Sequence, residues 1–518
     1  MPRLPMLAVA AIVLVASGAP AAPPGPAPLP DPLPDPLPDP LAERVAQASF
    51  REYLDLLALP NDAIKPADLA RNADFLTRAF ARRGFTTRTL DNHGKPLVFA
   101  EWPTQVAGAR TVLFYMHLDG QPVVDREWSQ PDAWKPVVKR RGANGWDIVG
   151  HEALFARPLD PELRVFGRSS SDDKAPIVMF LAAFDGLREQ GAQPAINVKV
   201  ILDSEEEKGS PTIRQVVEAH KDLLRCDALI IMDGPRHASE RPTLVFGNRG
   251  ATRVTLTVYG PRQPLHSGHF GNYVPNPAIR LARLIASMKD DQGRVTIRGY
   301  YDRVKLSAAD KKLLAATGDD EAAIRRRVGI RSAERVGGNL QEALQFPSLN
   351  VLGLAAASVG DKAANIIPHQ AIAELDLRTT PETPPAYLFG LVQKHVEAQG
   401  FHLVAAAPSD DERAAYDKLA SLTMSEGGRA ERTPMDAPIG AWAYAALQRT
   451  STRGEPVRIR MMGGSVPTDS LVEVLGAPFV IVPLVNGDNN QHTFDENMRI
   501  GHYVEGVRAI AGLLRTPY

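Results

Sequence analysis

The 518-residue chain has a single cysteine, Cys226. That excludes an intrachain disulfide, and it excludes a lipid-bearing cysteine near the amino terminus. Neither charge is in surplus: 59 Lys and Arg stand against 60 Asp and Glu, a formal net charge of -1. Such a balance gives no electrostatic footprint for nucleic acid or anionic lipid. The apolar run near the amino terminus, residues 6–18, has 13 residues. A stable membrane span needs about 20. A G-x-S-x-G elbow is missing too, because GRSSS lacks the closing glycine and GGSVP ends in proline; a serine hydrolase of that type is disfavoured. No internal repeat occurs beyond LPDPLPDPLPDP at 29–40.

What is abundant is proline, 44 residues, of which 13 fall in the first 40. Residues 1–22 have a positive start at Arg3, the apolar run, and a small-residue cleavage motif at Ala19-Pro20-Ala21. This is the pattern of an export signal, so a periplasmic or secreted location is expected. Residues 23–40 follow as a proline-rich spacer, expected to be stiff, solvated and polyproline-like. The body has enough apolar side chains, 44% of the chain, to build a large core without disulfides.

Apolar runs at 111–116 (TVLFYM), 198–202 (VKVIL), 228–232 (ALIIM) and 479–482 (FVIV) read as buried strands. Helical periodicity marks 68–83, 175–187 and 503–514. Buried strands alternating with helices predict an α/β fold, a mixed sheet sandwiched by helices. From residue 251 the pattern changes. TRVTLTVY (252–259) and AIAELDLR (371–378) alternate in polarity like half-exposed antiparallel strands, with helices expected at 276–288 and 385–399. We therefore expect residues 41–250 and 408–518 to form one discontinuous domain, and 251–407 an inserted α+β domain. Residues 302–345 read as a charged, helix-prone elaboration of the insert.

The chemically loaded residues follow the predicted strands, the edge at which α/β sheets build sites. His117 and Asp119 come directly after TVLFYM. An imidazole beside a carboxylate is a common metal-ligand pair, though His-x-Asp alone fits a surface turn equally. GRSSSDDK (167–174) opens a helix, so Asp172 and Asp173 are either cap residues or ligands. DSEEEKGS (203–210) follows VKVIL. Three adjacent glutamates repel one another unless they are solvated or bound to metal. Asp233 ends ALIIMDG, and His492 lies in NNQHTFDEN after the last strand. Each motif alone is weak. Together they supply two histidines and three acids, a donor set that suits two zinc ions sharing a carboxylate.

The order and wording of these motifs, with LHSGHFGN at 265–272, resemble the co-catalytic di-zinc peptidases: glutamate carboxypeptidase, carnosinase-type dipeptidases, aminoacylases and succinyl-diaminopimelate desuccinylase. The resemblance runs from about residue 65 onward and includes the insert, which serves the family as a lid or dimerisation domain. It implies two Zn2+, with Co2+ or Mn2+ able to occupy the same ligands. His117 and Asp233 would bind one ion, Glu207 and His492 the other, and Asp172 would bridge them through a loop with a cis bond to Asp173. Asp119 would orient His117, and Glu206 would act as general base and then acid. Glu206 and Glu207 are preferred over Glu205 because the family's pair sits directly before the segment equivalent to KGS.

The same resemblance nominates substrate contacts: His266 in LHSGH for the oxyanion, Arg378 for a carboxylate, Gly464 and Ser465 in GGSVP for the C-terminal end, and Asn276. Arg378 also fits a strand salt bridge, and Ser465 a tight turn. The chain departs from the family in having Ser169 where a glycine is usual. It also has a long interval between His117 and Asp172, from which 142–165 is expected to overhang the cleft. The expected reaction is hydrolysis of a peptide bond near a free C-terminus by an exported exopeptidase, a carboxypeptidase or dipeptidase. The alternative is an N-acyl-amino-acid amidohydrolase with the same mechanism. A non-catalytic relative would have lost a ligand or the base, and all are present. The substrate is thus a short peptide or N-acyl amino acid, and the partner implied is a second copy through the lid.

Overall fold

In the computed structural model, residues 35–425 and 427–518 are described. The expected export signal and the first part of the spacer lie outside them. Eight strands form the main sheet, in the spatial order Thr86–Asn92, Lys95–Trp102, Asn197–Asp203, Thr111–His117, Ala228–Ile231, Phe479–Ile481, Thr243–Val245 and Val457–Ile459. Its central four strands, from Asn197–Asp203 to Phe479–Ile481, run parallel. Their carboxyl ends therefore share one edge, and the loops carrying the expected site leave from that edge.

The central strands are mostly apolar because both faces are covered. Val112, Phe114 and Met116 enter one core, packed by helices Asp39–Leu57, Lys174–Glu189 and Ile500–Arg515. Leu113 and Tyr115 enter the opposite core with Ile213 and Leu471, from helices Ile213–Ala219 and Thr468–Leu475. Successive side chains of a strand point to opposite faces, so a continuous hydrophobic run feeds two layers at once.

The second sheet has five strands, in the order Ser348–Ala355, Gln370–Thr379, Gly250–Tyr259, Leu419–Met424 and His402–Leu403. Val254, Leu256 and Val258 alternate inward against Ala371, Ala373, Leu375 and Leu377. Helices Pro277–Ala286 and Pro385–Ala398 close this core. The boundary expected at residue 407 falls short: Leu419–Met424 pairs with 254–259 and belongs to this sheet. The strand is half exposed at its far end, which left its alternation too weak to recognise.

The spacer expectation is corrected in part. Residues 35–37 are buried or half-buried, while residues 38–40 are exposed. Leu37 is fully buried, and Asp35 and Asp39 flank it to ion-pair with Arg508 on helix Ile500–Arg515. Helix Asp39–Leu57 begins inside the last repeat, with proline in its first turn, where the missing N–H costs nothing. The stretch 142–165 is built into the body. Strands Val137–Gly142 and Gly145–Val149 join Arg164–Phe166 and Asn497–Arg499 in a four-stranded sheet. Gln47 then ties the turn behind it to the body, donating to the carbonyls of Leu154 and Ala156 at 3.2 and 3.0 Å. Leu154 is buried, and its apolar surface is better satisfied against helix Asp39–Leu57 than over water. Among the described residues no helix is long and apolar enough to cross a membrane.

Candidate metal centre

His117 ends its strand, and its backbone continues into the parallel register: Leu118 N–H donates to the Asp203 carbonyl at 2.7 Å. Glu206 and Glu207 begin a single 3-10 turn just beyond Asp203. Asp233 lies two residues past strand Ala228–Ile231, and Asp172 sits immediately before helix Lys174–Glu189, across the predicted cis Asp172–Asp173 bond. His492 leaves the loop after Phe479–Ile481 in a left-handed conformation, φ 62°.

These loops bring the five expected donors together in the two expected groups. Ligand atoms of His117, Asp172 and Asp233 lie within 4.8 Å of one another, as do those of Asp172, Glu207 and His492. Asp172 is common to both. Its Oδ1 is 2.9 Å from His117 Nε2 and its Oδ2 is 3.0 Å from His492 Nε2. Glu207 Oε2 is 3.1 Å from His492 Nε2 and accepts from Gln121 Nε2 at 2.7 Å.

The electrostatics fit a cationic occupant. Four acids, Asp172, Glu206, Glu207 and Asp233, converge on two histidines. Burial, with repulsion from Asp172, pushes Asp233 up to about 7. Burial and the charges of Asp233, Asp172 and Glu207 hold Glu206 well above the usual carboxylate range. Burial disfavours the charged form of His117, but the hydrogen bonds it donates to Asp119 and Asp172 override that and raise the imidazole. Two buried acids, Glu206 and Asp233, that favour the protonated form without a cation beside them fit a site that takes cations. The mixed imidazole and carboxylate donors suit a divalent transition metal.

Asp119 does more than flank His117. It stands 3.4 Å from His117 Nδ1, and its two oxygens accept the backbone N–H groups of Glu206 and Glu207 at 3.2 and 3.1 Å. One buried carboxylate thus sets the imidazole and the acidic turn together. Glu205 is excluded from the centre by its own partners: it ion-pairs with Lys95 and accepts from Asn92 and Thr212 at 3.2 and 2.6 Å.

The largest omission from the sequence reading is Glu496. It is fully buried. Its Oε1 accepts Ser171 N–H, Ser171 Oγ–H and Asp172 N–H, each at 2.9 Å. Its Oε2 accepts Ser169 N–H and Arg168 Nη1–H, each at 2.9 Å. The antiparallel pairing Asn497↔Phe166 places this acid under the GRSSSDDK turn. Ser169 is left-handed, φ 60°, which explains why glycine suits the position. Its hydroxyl is taken up by Asn61, Nδ2 to Oγ 3.0 Å.

The expected substrate contacts divide. Arg378 and Ser465 meet, Nη1 to Oγ 3.4 Å, while Arg378 Nε donates to Asp376 at 3.0 Å. Ser465 Oγ–H donates to the Arg249 carbonyl at 2.8 Å. A side chain at Gly464 would meet only the Met462 methyl, at 3.7 Å, so the chain's own packing does not demand glycine there. His266 and Asn276 are not joined to these groups by hydrogen bonds among the described residues. His266 Nδ1 accepts Gly268 N–H at 3.0 Å, and Asn276 Oδ1 caps helix Pro277–Ala286 through Ala278 N–H at 2.8 Å.

The peptidase family M20/M25/M40 model matches residues 113–516. The Cys-Gly metallodipeptidase DUG1 of Candida albicans is 25% identical over 88% of this chain and 92% of its own. The Beta-Ala-His dipeptidase of Mus musculus is 25% identical over 77% of this chain and 76% of its own. The M20 family metallo-carboxypeptidase Sso-CP2 from Sulfolobus solfataricus shares the fold at TM-score 0.72 and 23% identity, over 90% of this chain and 98% of that one. With its donors gathered at the sheet edge and this match across most of its length, the chain belongs to the peptidase family M20/M25/M40 and is a hydrolytic metallopeptidase.

Proposed function

We propose that the protein is an exported di-zinc exopeptidase that cleaves dipeptides or the last residue of short peptides. The observation that carries the reading is the pair of three-donor groups sharing Asp172, with Glu206 beside them and the Arg378–Ser465 pair available for a carboxylate. The dipeptidase names of the relatives support the substrate class. Zinc ions held by His117, Asp233, Asp172, Glu207 and His492 would supply Lewis-acid polarisation of the scissile carbonyl and a more acidic water.

Glu206 takes the proton of the attacking water and delivers it to the leaving nitrogen. Burial among acids raises its proton affinity, which suits a group that must hold that proton between the two transfers. Asp119 keeps the Glu206 backbone in place through its carboxylate. Arg378 offers a guanidinium, a third of it exposed, to the substrate carboxylate, with the Ser465 hydroxyl next to it.

Export follows from the 1–22 pattern, and N-terminal sequencing of protein recovered outside the cytoplasm tests it. A homodimer through the lid is supported by the edge strand Ser348–Ala355, whose Leu352 and Leu354 are 52% and 61% exposed. An exposed apolar edge strand invites pairing with another copy. Sedimentation of the full chain should give twice the monomer mass; a monomer would remove this part of the proposal.

The decisive experiment is a substrate panel on zinc-loaded protein. Dipeptides should be hydrolysed at least tenfold faster than N-acetyl amino acids, and chelator should abolish both activities. Preference for the N-acetyl compounds would turn the reading to an amidohydrolase.

A further inference from the structure

Six arginines are buried among the described residues: Arg83, Arg164, Arg168, Arg236, Arg249 and Arg508. Five of them face a carboxylate within 4.0 Å. Arg249 does not. It is 7% exposed. Its Nη2 donates to the Phe346 carbonyl at 2.8 Å and to Ser348 Oγ at 3.0 Å, and its buried Nε has no partner. Burial and the like charge of Arg378 push its guanidinium down to about 10. A buried cation without a counter-charge is costly.

Arg249 lines a pocket of about 460 Å3 in the inserted domain, a size that suits a small organic ligand. The rest of the wall is largely apolar, with Val295, Tyr301, Leu344 and Leu349. Two acids and three further cations, Lys289, Arg325 and Arg335, also line it, and both acids are engaged. Glu334 pairs with Lys289 at 2.9 Å, and Glu321 lies 3.5 Å from Arg325 and accepts Leu340 N–H at 2.7 Å. Asp376 attracts Arg249 from farther off but pairs with Arg378 at 3.0 Å, so a carboxylate in direct contact with Arg249 has to come from a ligand.

We propose that this pocket binds a small carboxylate on an apolar body, with the carboxylate on Arg249 and the body against the apolar wall. Such a group has two sources: the side of the substrate that carries its terminal carboxylate, or a separate metabolite bound in the insert. The Arg249 carbonyl accepts from Ser465, which Arg378 also touches. Occupancy is therefore connected to the expected substrate loop in either case. The inference does not rest on the metal chemistry.

Calorimetry of the full zinc-loaded chain with 3-phenylpropanoate, which has no bond to cleave, tests it. Binding should be at least tenfold tighter than that of the neutral 3-phenylpropanol or of acetate. Arg249→Met should weaken it at least tenfold. Ala343→Phe, which narrows the pocket and leaves Arg249 intact, should do the same, and it decides the matter should the arginine variant not fold. Arg378→Met separates the sources. Retained affinity assigns a separate site, whereas lost affinity makes the pocket the far end of the substrate cleft. No binding, or binding that both Arg249→Met and Ala343→Phe leave unchanged, overturns the proposal.

Discussion

Glu206→Gln should lower kcat by about 10²–10⁴-fold, the usual worth of a positioned proton-transfer group, or about 3–5 kcal/mol of transition-state stabilisation. Glutamine keeps the shape and can still accept a hydrogen bond from water, but it cannot take the proton. Glu206 belongs to neither donor group, so the variant should retain its full complement of zinc by elemental analysis. KM should change little, because the carboxylate grip lies with Arg378 and Ser465. A variant with normal turnover would end the general-base assignment, whatever its metal content. A variant that lost zinc would show instead that Glu206 supports the ligand cage.

Glu496→Gln has the second largest expected effect, and it should act on metal affinity. The glutamate's two oxygens receive four N–H groups and one hydroxyl. An amide supplies one oxygen and one NH2, so whichever way it turns, donors face donors. Each buried N–H left unpartnered costs about 1–3 kcal/mol. The strain falls on the turn that aims Asp172 at both histidines. Groups that orient metal ligands typically contribute 10–100-fold in affinity, so competition with a chromophoric chelator should show zinc binding about 10–100-fold weaker. A purely structural role would lower the unfolding midpoint of metal-free and zinc-loaded protein by equal amounts. A positioning role should also narrow the gap between them. Unchanged zinc affinity would refute it.

The donor residues were legible in the sequence for a topological reason. His117, Glu206, Glu207 and Asp233 each follow a mostly apolar run. Such a run is a strand covered on both faces, and parallel strands deliver their next residues to a common edge. Glu496 was not legible. Its partners are backbone groups and the Ser171 hydroxyl 324 to 327 residues away, with the Arg168 side chain, and a lone acid in FDEN has no local pattern. Arg249 was hidden for the opposite reason, since its meaning lies in a carboxylate that is missing. Residues 35–37 misled because repeated proline reads as a solvated rod, whereas tertiary burial of the single side chain Leu37 holds them against the body. The insert's alternating strands were clear at 252–259 and 371–378, and unclear at Leu419–Met424, where one end is open to water.

The anchored end of the spacer has a topological consequence. Asp35, Leu37 and Asp39 are fastened to Arg508 and the core more than 460 positions along the chain. The entry to the globular body is therefore locked by its last long helix, like a belt closed at the buckle. Fraying at the start of helix Asp39–Leu57 must therefore undo contacts with helix Ile500–Arg515. A version of the protein begun at residue 41 would leave Arg508 unmatched and a hole where Leu37 sat. The folded enzyme consequently includes the last part of the repeat, from Asp35 onward.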